Sequence, residues 1–196
     1  MLNRGGVILT LLLLALVSGS VWGQETYQRV TSVSELEAEK SFLIVNVDDQ
    51  GRCIALSNEQ KKNNRGAVAV ILANDKITLE QNSMACQLVL KGSSSVGWSF
   101  YDEVNGGYLY AASSSGNYLK TQSTLDDDGR ADIRFEANIA TITFKGTNKR
   151  NVMQYNPNNG SPLFACYGSE SQKPLQLFKK VESIGNQVAA PVFAPA

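Results

Sequence analysis

The side chains best suited to chemistry in this chain lie between residues 98 and 121. They are the aromatics Trp98, Phe100, Tyr101, Tyr108, Tyr110 and Tyr118, interleaved with Asp102, Asn105, Asn117 and Lys120. Sugar-binding sites use such a set: an aromatic face covers the C–H surface of a ring while amides and charged groups meet its hydroxyls. On a strand, neighbouring side chains point to opposite faces, so one of Phe100 and Tyr101 must point inward. We read Trp98, Phe100 and Tyr110 as core. The candidate ligand-binding residues are then Tyr101, Asp102, Asn105, Asn117, Tyr118 and Lys120, grouped around the Ser113–Gly116 loop.

Other chemistries are poorly served. The chain has no histidine, which removes Ser-His and Cys-His nucleophilic sites and His-ligated zinc. Three scattered cysteines cannot form a four-cysteine zinc site, and no Gly-rich phosphate-binding fingerprint follows a strand. Asp126-Asp127-Asp128-Gly129-Arg130-Ala131-Asp132 loosely resembles a Ca²⁺ loop. Arg130 stands where a third ligand is wanted, however, and no spaced Glu closes the site. It is read as a solvated turn. Asp48-Asp49 and Asp102-Glu103 are the acidic pairs nearest to the requirement of a glycosidase, but both fall beside turns, where acidic residues are expected in any case. No catalytic residue, metal site or cofactor is therefore expected.

The elements that must position the aromatic group are strands. From Phe42 onward Val, Ile, Tyr, Phe and Thr gather in short runs separated by Gly, Asn, Asp and Ser. Three passes are visible, each opening on an apolar strand and closing on a short alternating one. The first has strands near Phe42–Val47, Cys53–Leu56, Val68–Leu72 and Gln87–Leu90, with Ile77–Glu80 as an extra candidate. The second has Trp98–Asp102, Tyr108–Ala112, Tyr118–Thr121 and Ala131–Glu136. The third has Ala140–Phe144, Asn151–Tyr155, Leu163–Tyr167 and Leu175–Lys179. Twelve strands in three units predict an all-β, β-trefoil-like closed barrel; another β-barrel or a sandwich would explain the same alternation. The Ser57–Gly66 stretch is read as an insertion lengthening the first unit. Asn105-Gly106-Gly107 is a hairpin signal, since Gly tolerates positive φ.

Residues 1–23 read as a secretory signal: Arg4 in the n-region, an apolar Val7–Val17, and Val21 and Gly23 at the −3 and −1 places before Gln24. A cut after Ser20 is the alternative. The apolar stretch falls short of the ~20 residues that span a bilayer, so no stable membrane insertion is expected after cleavage. Residues 24–41 form a lead-in with one helical turn at Ser34-Glu35-Leu36-Glu37, which fits the capping-box spacing. Residues 42–182 form one β domain, and the Ala/Pro-rich residues 183–196 read as a flexible tail. Lys+Arg and Asp+Glu both total 18, so the basic surplus that nucleic-acid binding normally needs is missing. The odd number of cysteines, Cys53, Cys86 and Cys166, leaves at least one thiol without a partner within the chain; alternation puts Cys166 on the same face as Phe164, as a small buried hydrophobe.

Tyr27-Gln28-Arg29-Val30-Thr31-Ser32 followed by Phe42-Leu43-Ile44-Val45 resembles the opening of a module common in secreted proteins of Bacteroidetes. Gly107-Tyr108-Leu109-Tyr110-Ala111-Ala112, Gly116-Asn117-Tyr118-Leu119-Lys120-Thr121, Phe164-Ala165-Cys166-Tyr167 and Leu175-Gln176-Leu177-Phe178-Lys179-Lys180 match it as well. That module often forms the C-terminal part of larger exported proteins, including nuclease-like ones. Members often carry Trp near the position of Ala131, where this chain reads Ala131-Asp132-Ile133. The resemblance spans nearly all of the chain after the signal. It implies a gut-bacterial exported accessory module and supplies no catalytic residues.

The expectation is an exported, non-enzymatic binding module, found in the periplasm, at the cell surface or in the medium, with a carbohydrate as the preferred ligand. A structural or protein-interaction module with a surface protein as partner is the alternative, and a carboxylate-only hydrolase the third reading.

Overall fold

Side chains branched at Cβ or carrying rings pack well on a pleated, half-buried surface, and this chain has such residues in almost every short run. The computed structural model describes residues 24–182 except residue 159. The expected signal segment 1–23 and tail 183–196 lie outside the described residues. Within them the chain is all-β, with fifteen strands and one 3-10 turn, Val33–Glu35. The strands are β1 Glu25–Val30, β2 Ser41–Val47, β3 Cys53–Gln60, β4 Arg65–Val70, β5 Leu72–Ala73, β6 Lys76–Leu79, β7 Leu88–Ser93 and β8 Gly97–Asp102. They continue with β9 Gly107–Ala111, β10 Leu119–Gln122, β11 Ala131–Glu136, β12 Ile139–Phe144, β13 Val152–Asn156, β14 Leu163–Tyr167 and β15 Gln176–Val181.

Six strands form a ring in which every pairing is antiparallel. β2 pairs β7 (Phe42↔Leu88), β7 pairs β8 (Leu90↔Phe100) and β8 meets β11 at Trp98↔Ala131. β11 pairs β12 (Ile133↔Ile142) and β15 returns to β2 (Leu177↔Ile44). Between β12 and β15 the ring narrows to one bridge, Ala140↔Leu175, whose N–H···O bond is 2.8 Å long. These six strands are the apolar openers and alternating closers seen in the sequence. Each opener runs on into a hairpin: β3–β4, β9–β10 and β13–β14. The hairpins touch one another, β14 pairing β4 at Phe164↔Arg65 and Leu119 N donating to Asn63 O at 3.0 Å.

The ring and hairpins enclose the main core, which includes Phe42, Ile44, Phe100, Ile142, Phe144 and Phe164. A second apolar layer lies outside it. β2 is apolar on both faces, and its outward Leu43 and Val45 pack with Tyr27, Ile77, Leu79 and Phe178. β1 and β6 supply that cover: β1 pairs β15 on one side and β6 on the other.

Three expectations change. Residues 25–30 form a strand and not a polar lead-in; only Tyr27 and Val30 are buried, three apart, so period-2 alternation is missing. The Ser57–Gly66 stretch is no insertion: β3 runs to Gln60, β4 starts at Arg65, and Lys61 N bonds Asn64 O at 2.8 Å. The first unit is longer because the β5–β6 hairpin and the residues up to β7 lie within it. The helical turn begins two residues earlier than read, with Ser32 as its cap residue. Glu35 closes it by accepting from Thr31 N at 3.0 Å and Ser32 Oγ at 3.0 Å.

Cys53, Cys86 and Cys166 are all buried free thiols. Cys166 shares the main core with Phe164. Burial pushes the Cys53 thiol up to about 11 and the Cys86 thiol up to about 12, so neither supplies a thiolate at neutral pH.

Candidate functional site

The aromatic residues sort by strand parity. On β8, Trp98, Phe100 and Asp102 point inward, with Phe100 and Asp102 fully enclosed, while Tyr101 between them is half-buried on the outer face. Tyr101 stands opposite Tyr108 of β9, their rings edge to face with centroids 5.0 Å apart. Leu109 and Ala111 take the inward positions of β9, so Tyr110 lies outward beside Tyr108. The expectation of Tyr110 as core is thereby corrected. On β10, Leu119 is inward and Lys120 faces Tyr110 across the ladder. The Lys120 ammonium sits 5.6 Å from the Tyr118 ring centroid, and Lys91 of β7 sits 5.4 Å from that of Tyr101. Both distances are within cation–π range.

Four half-buried tyrosines and two lysines thus share one outer face across β7, β8, β9 and β10, Tyr118 being placed there by its Lys120 contact. The close approach of the strands depends on Gly107, where any Cβ would strike the Gln122 carbonyl. The tyrosines of this face stay half-buried, whereas Leu43 and Val45 on the outer face of β2 are fully covered.

The polar partners expected for a ligand are placed differently. Asp102 is inside the protein and forms a fully buried ion pair with Arg65, 2.6 Å from its Nη1. Its Oδ1 accepts from Val104 N and Asn105 N, both at 3.0 Å, and its Oδ2 from Asn105 Nδ2 at 2.8 Å. Burial pushes its pKa up, but the Asn105 N–H groups and the Arg65 charge outweigh that and hold it below the usual carboxylate range. As a ligand contact Asp102 is therefore corrected to a buried support of the β8–β9 turn. Asn105 belongs to the same support, its amide also donating to Asn58 O at 3.0 Å. Asn117 Oδ1 accepts from Arg150 Nη1 at 2.6 Å at the edge of the Ser113–Gly116 loop. The structure thus brings Tyr101, Tyr118 and Lys120 together with Tyr108 and Tyr110, buries Asp102 inside the protein and uses Asn105 to hold the β8–β9 turn.

Asp126 is used locally: its Oδ1 accepts from Gln122 Nε2 at 2.6 Å and Gly129 N at 3.2 Å. Among the described residues no group of His, Cys, Asp or Glu is arranged to hold a metal ion, and no helix is long and apolar enough to cross a membrane.

Sequence reasoning did not find a cleft of about 610 Å³ between the β2–β3 turn, the end of β13 and Lys173–Pro174. Asp48, Asp49 and Arg52 stand on one side, Tyr155, Pro157 and Pro162 on the other. The segments are more than a hundred residues apart in the chain, and the one linear signal was the pair Asp48-Asp49.

No protein-family model matches this chain, and no curated protein matches it either. Among solved structures it is similar to the lysenin pore and to lysenin in complex with phosphocholine, each at 12% identity, TM-score 0.48 and 80% coverage of this chain. The chain spans about half the length of those proteins, 50% and 48% respectively. Likeness at this level carries no argument about what the chain binds.

Proposed function

We propose that this chain is an exported, non-enzymatic binding module of β-trefoil form that takes a glycan on the outer face of β8, β9 and β10. The strand order supports the trefoil reading: three successive stretches of chain each give two ring strands and one hairpin, and the hairpins meet one another. Support for export is the Arg4 and Val7–Val17 pattern at the N-terminus.

The observation that carries the glycan reading is the tyrosine face itself. Tyr101, Tyr108, Tyr110 and Tyr118 have inward-facing neighbours that fill the core, so the rings are not needed there. All four are half-open, with the Lys91 ammonium over the Tyr101 ring and the Lys120 ammonium over the Tyr118 ring. Flat rings with hydroxyl tips and flanking ammonium groups match the C–H faces and hydroxyls of a sugar. The rigid ladder beneath fixes their spacing before a ligand arrives.

The test is a glycan array on the chain from residue 24, followed by titration of any hit against the Tyr101→Ala/Tyr118→Ala double variant. Loss of affinity by at least about tenfold, or 1.4 kcal/mol, is expected, with the melting transition retained. Array binding unchanged in that variant rejects the site. A flat array together with a protein recovered by pull-down favours the protein-interaction reading.

A further inference from the structure

The cleft beside the β2–β3 turn is built independently of the tyrosine face. Its first wall is locked by Asp48, whose Oδ1 accepts from Gln50 N and Arg52 N, both at 2.9 Å, and whose Oδ2 holds Arg52 Nε at 2.6 Å. Asp48 N bonds Arg52 O at 3.0 Å, and Gly51 turns the chain at φ 76°. The opposite wall is locked by two backbone bonds between Tyr155 and Lys173, 3.0 and 3.2 Å long. Asn46, itself almost fully buried, ties the walls together by donating from Nδ2 to Pro174 O at 2.8 Å.

We propose that this cleft is a second binding site and that its ligand is a carboxylate-bearing saccharide, a uronic acid unit within an oligosaccharide. The volume of about 610 Å³ lies inside the ~300–1,000 Å³ range of small-ligand sites. Pro157, Pro162 and Pro174 give it stiff, largely apolar walls that suit the C–H face of a pyranose, and Tyr155 behind them is held in the core against Phe164. Two cations, Arg52 and Lys173, line the cleft together with the carboxylates Asp48 and Asp49. Asp48 takes up the Arg52 Nε edge; the guanidinium is a planar fork, and its Nη groups suit a carboxylate. Gln50 and Asp49 complete the wall with hydroxyl partners. An acyl chain would meet these four charged groups on entering. A nucleic acid would need a wider basic track than two cations in a chain of zero net charge.

The experiment uses ¹⁵N-labelled chain from residue 24, titrated with tetragalacturonate and, separately, with maltotetraose. Amide shifts are expected at Asn46–Ile54 and at Lys173 with tetragalacturonate, at an affinity at least about tenfold above that for the neutral sugar. K173Q and R52Q should each weaken tetragalacturonate binding, and the double variant by at least about tenfold. Arg52 is 73% exposed, so the variants should keep the native spectrum; if R52Q disturbs the turn, K173Q alone decides. The Tyr101→Ala/Tyr118→Ala variant should bind tetragalacturonate like the parent. No shift at Asn46–Ile54, shifts confined to residues 101–120, equal affinity for the neutral sugar, or a natively folded double variant with parental affinity each overturn the proposal. Failure of the tyrosine face would leave every one of these readings intact.

Discussion

Arg65 and Asp102 are both fully enclosed, which makes their ion pair the most costly arrangement of charge in the described protein. Two desolvated charges are tolerated only when hydrogen bonds satisfy the rest of each group. Here Arg65 also donates to Thr121 Oγ1 at 3.0 Å, Ser57 O at 2.9 Å and Cys86 Sγ at 3.4 Å, while its Nε has no partner. The pair thereby joins β4, β8 and β10, the first hairpin to the tyrosine strands. Asp102→Asn keeps the shape but strands the guanidinium charge, and should cost about 3–5 kcal/mol, read from urea unfolding; a loss below about 1 kcal/mol would show that water reaches the guanidinium. The depressed Asp102 pKa gives a matching pH dependence. The unfolded carboxyl binds its proton more readily than the folded one, so the stabilisation is complete above the ordinary value of ~4 and is lost as pH falls through the folded value. Glu35, held low by the Thr31 N–H, acts in the same direction. Acid unfolding should therefore shift to higher pH than for the parent when Glu35 is kept and Asp102 is replaced by Asn. In the sequence Asp102 sits beside aromatics at a turn and reads as a ligand contact; its parity with Phe100 was the signal that it faces inward.

At the scale of elements, β1 acts as a cover. It seals the β15 edge through Thr26↔Val181 to Val30↔Leu177 and places Tyr27 over Leu43, Val45 and Phe178. The Tyr27 hydroxyl donates to Gln87 Oε1 at 2.6 Å, linking the cover to the residue before β7. A chain starting at Ser32 would expose the β15 edge and the outer apolar layer together. Unpaired strand edges with apolar faces template association, so that truncation should aggregate or melt well below the parent, checked by light scattering and a thermal scan. Equal melting and a monodisperse truncated protein would show that β1 only rests on the sheet. Tyr27→Ala alone should cost about 3–5 kcal/mol, as for other large core aromatics. The sequence displayed the ring strands clearly because each carries inward apolar residues at period two, Phe42 with Ile44 and Ile142 with Phe144 among them. β1 was hidden because its two buried residues are three apart. The extension of β3 through Ser57-Asn58-Glu59-Gln60 was hidden because its length is held by backbone pairing and not by apolar side chains. The cleft had no linear signature, since turns from distant strands meet only after the hairpins dock.

On the trefoil reading proposed above, the whole molecule has three frames, each with a different outer surface. The outer face of β2 is buried under β1 and β6. On β12 the corresponding positions carry Thr141 and Thr143, half-buried and without rings. β8 and its hairpin carry four half-buried tyrosines there, Tyr101, Tyr108, Tyr110 and Tyr118, whereas the hairpin after β12 carries Tyr167, buried with Leu163 and Ala165. A site built from rings therefore cannot recur threefold, whatever the symmetry of the backbone beneath it. A neutral oligosaccharide that binds this chain should saturate at one ligand per chain in a calorimetric titration, and a single Tyr108→Ala change should weaken that one event. A stoichiometry near three would mean that recognition uses backbone or polar groups common to all three frames, and the tyrosine face would then be packing alone. The stoichiometry thus separates a site written into the side chains of one frame from one inherited from the fold.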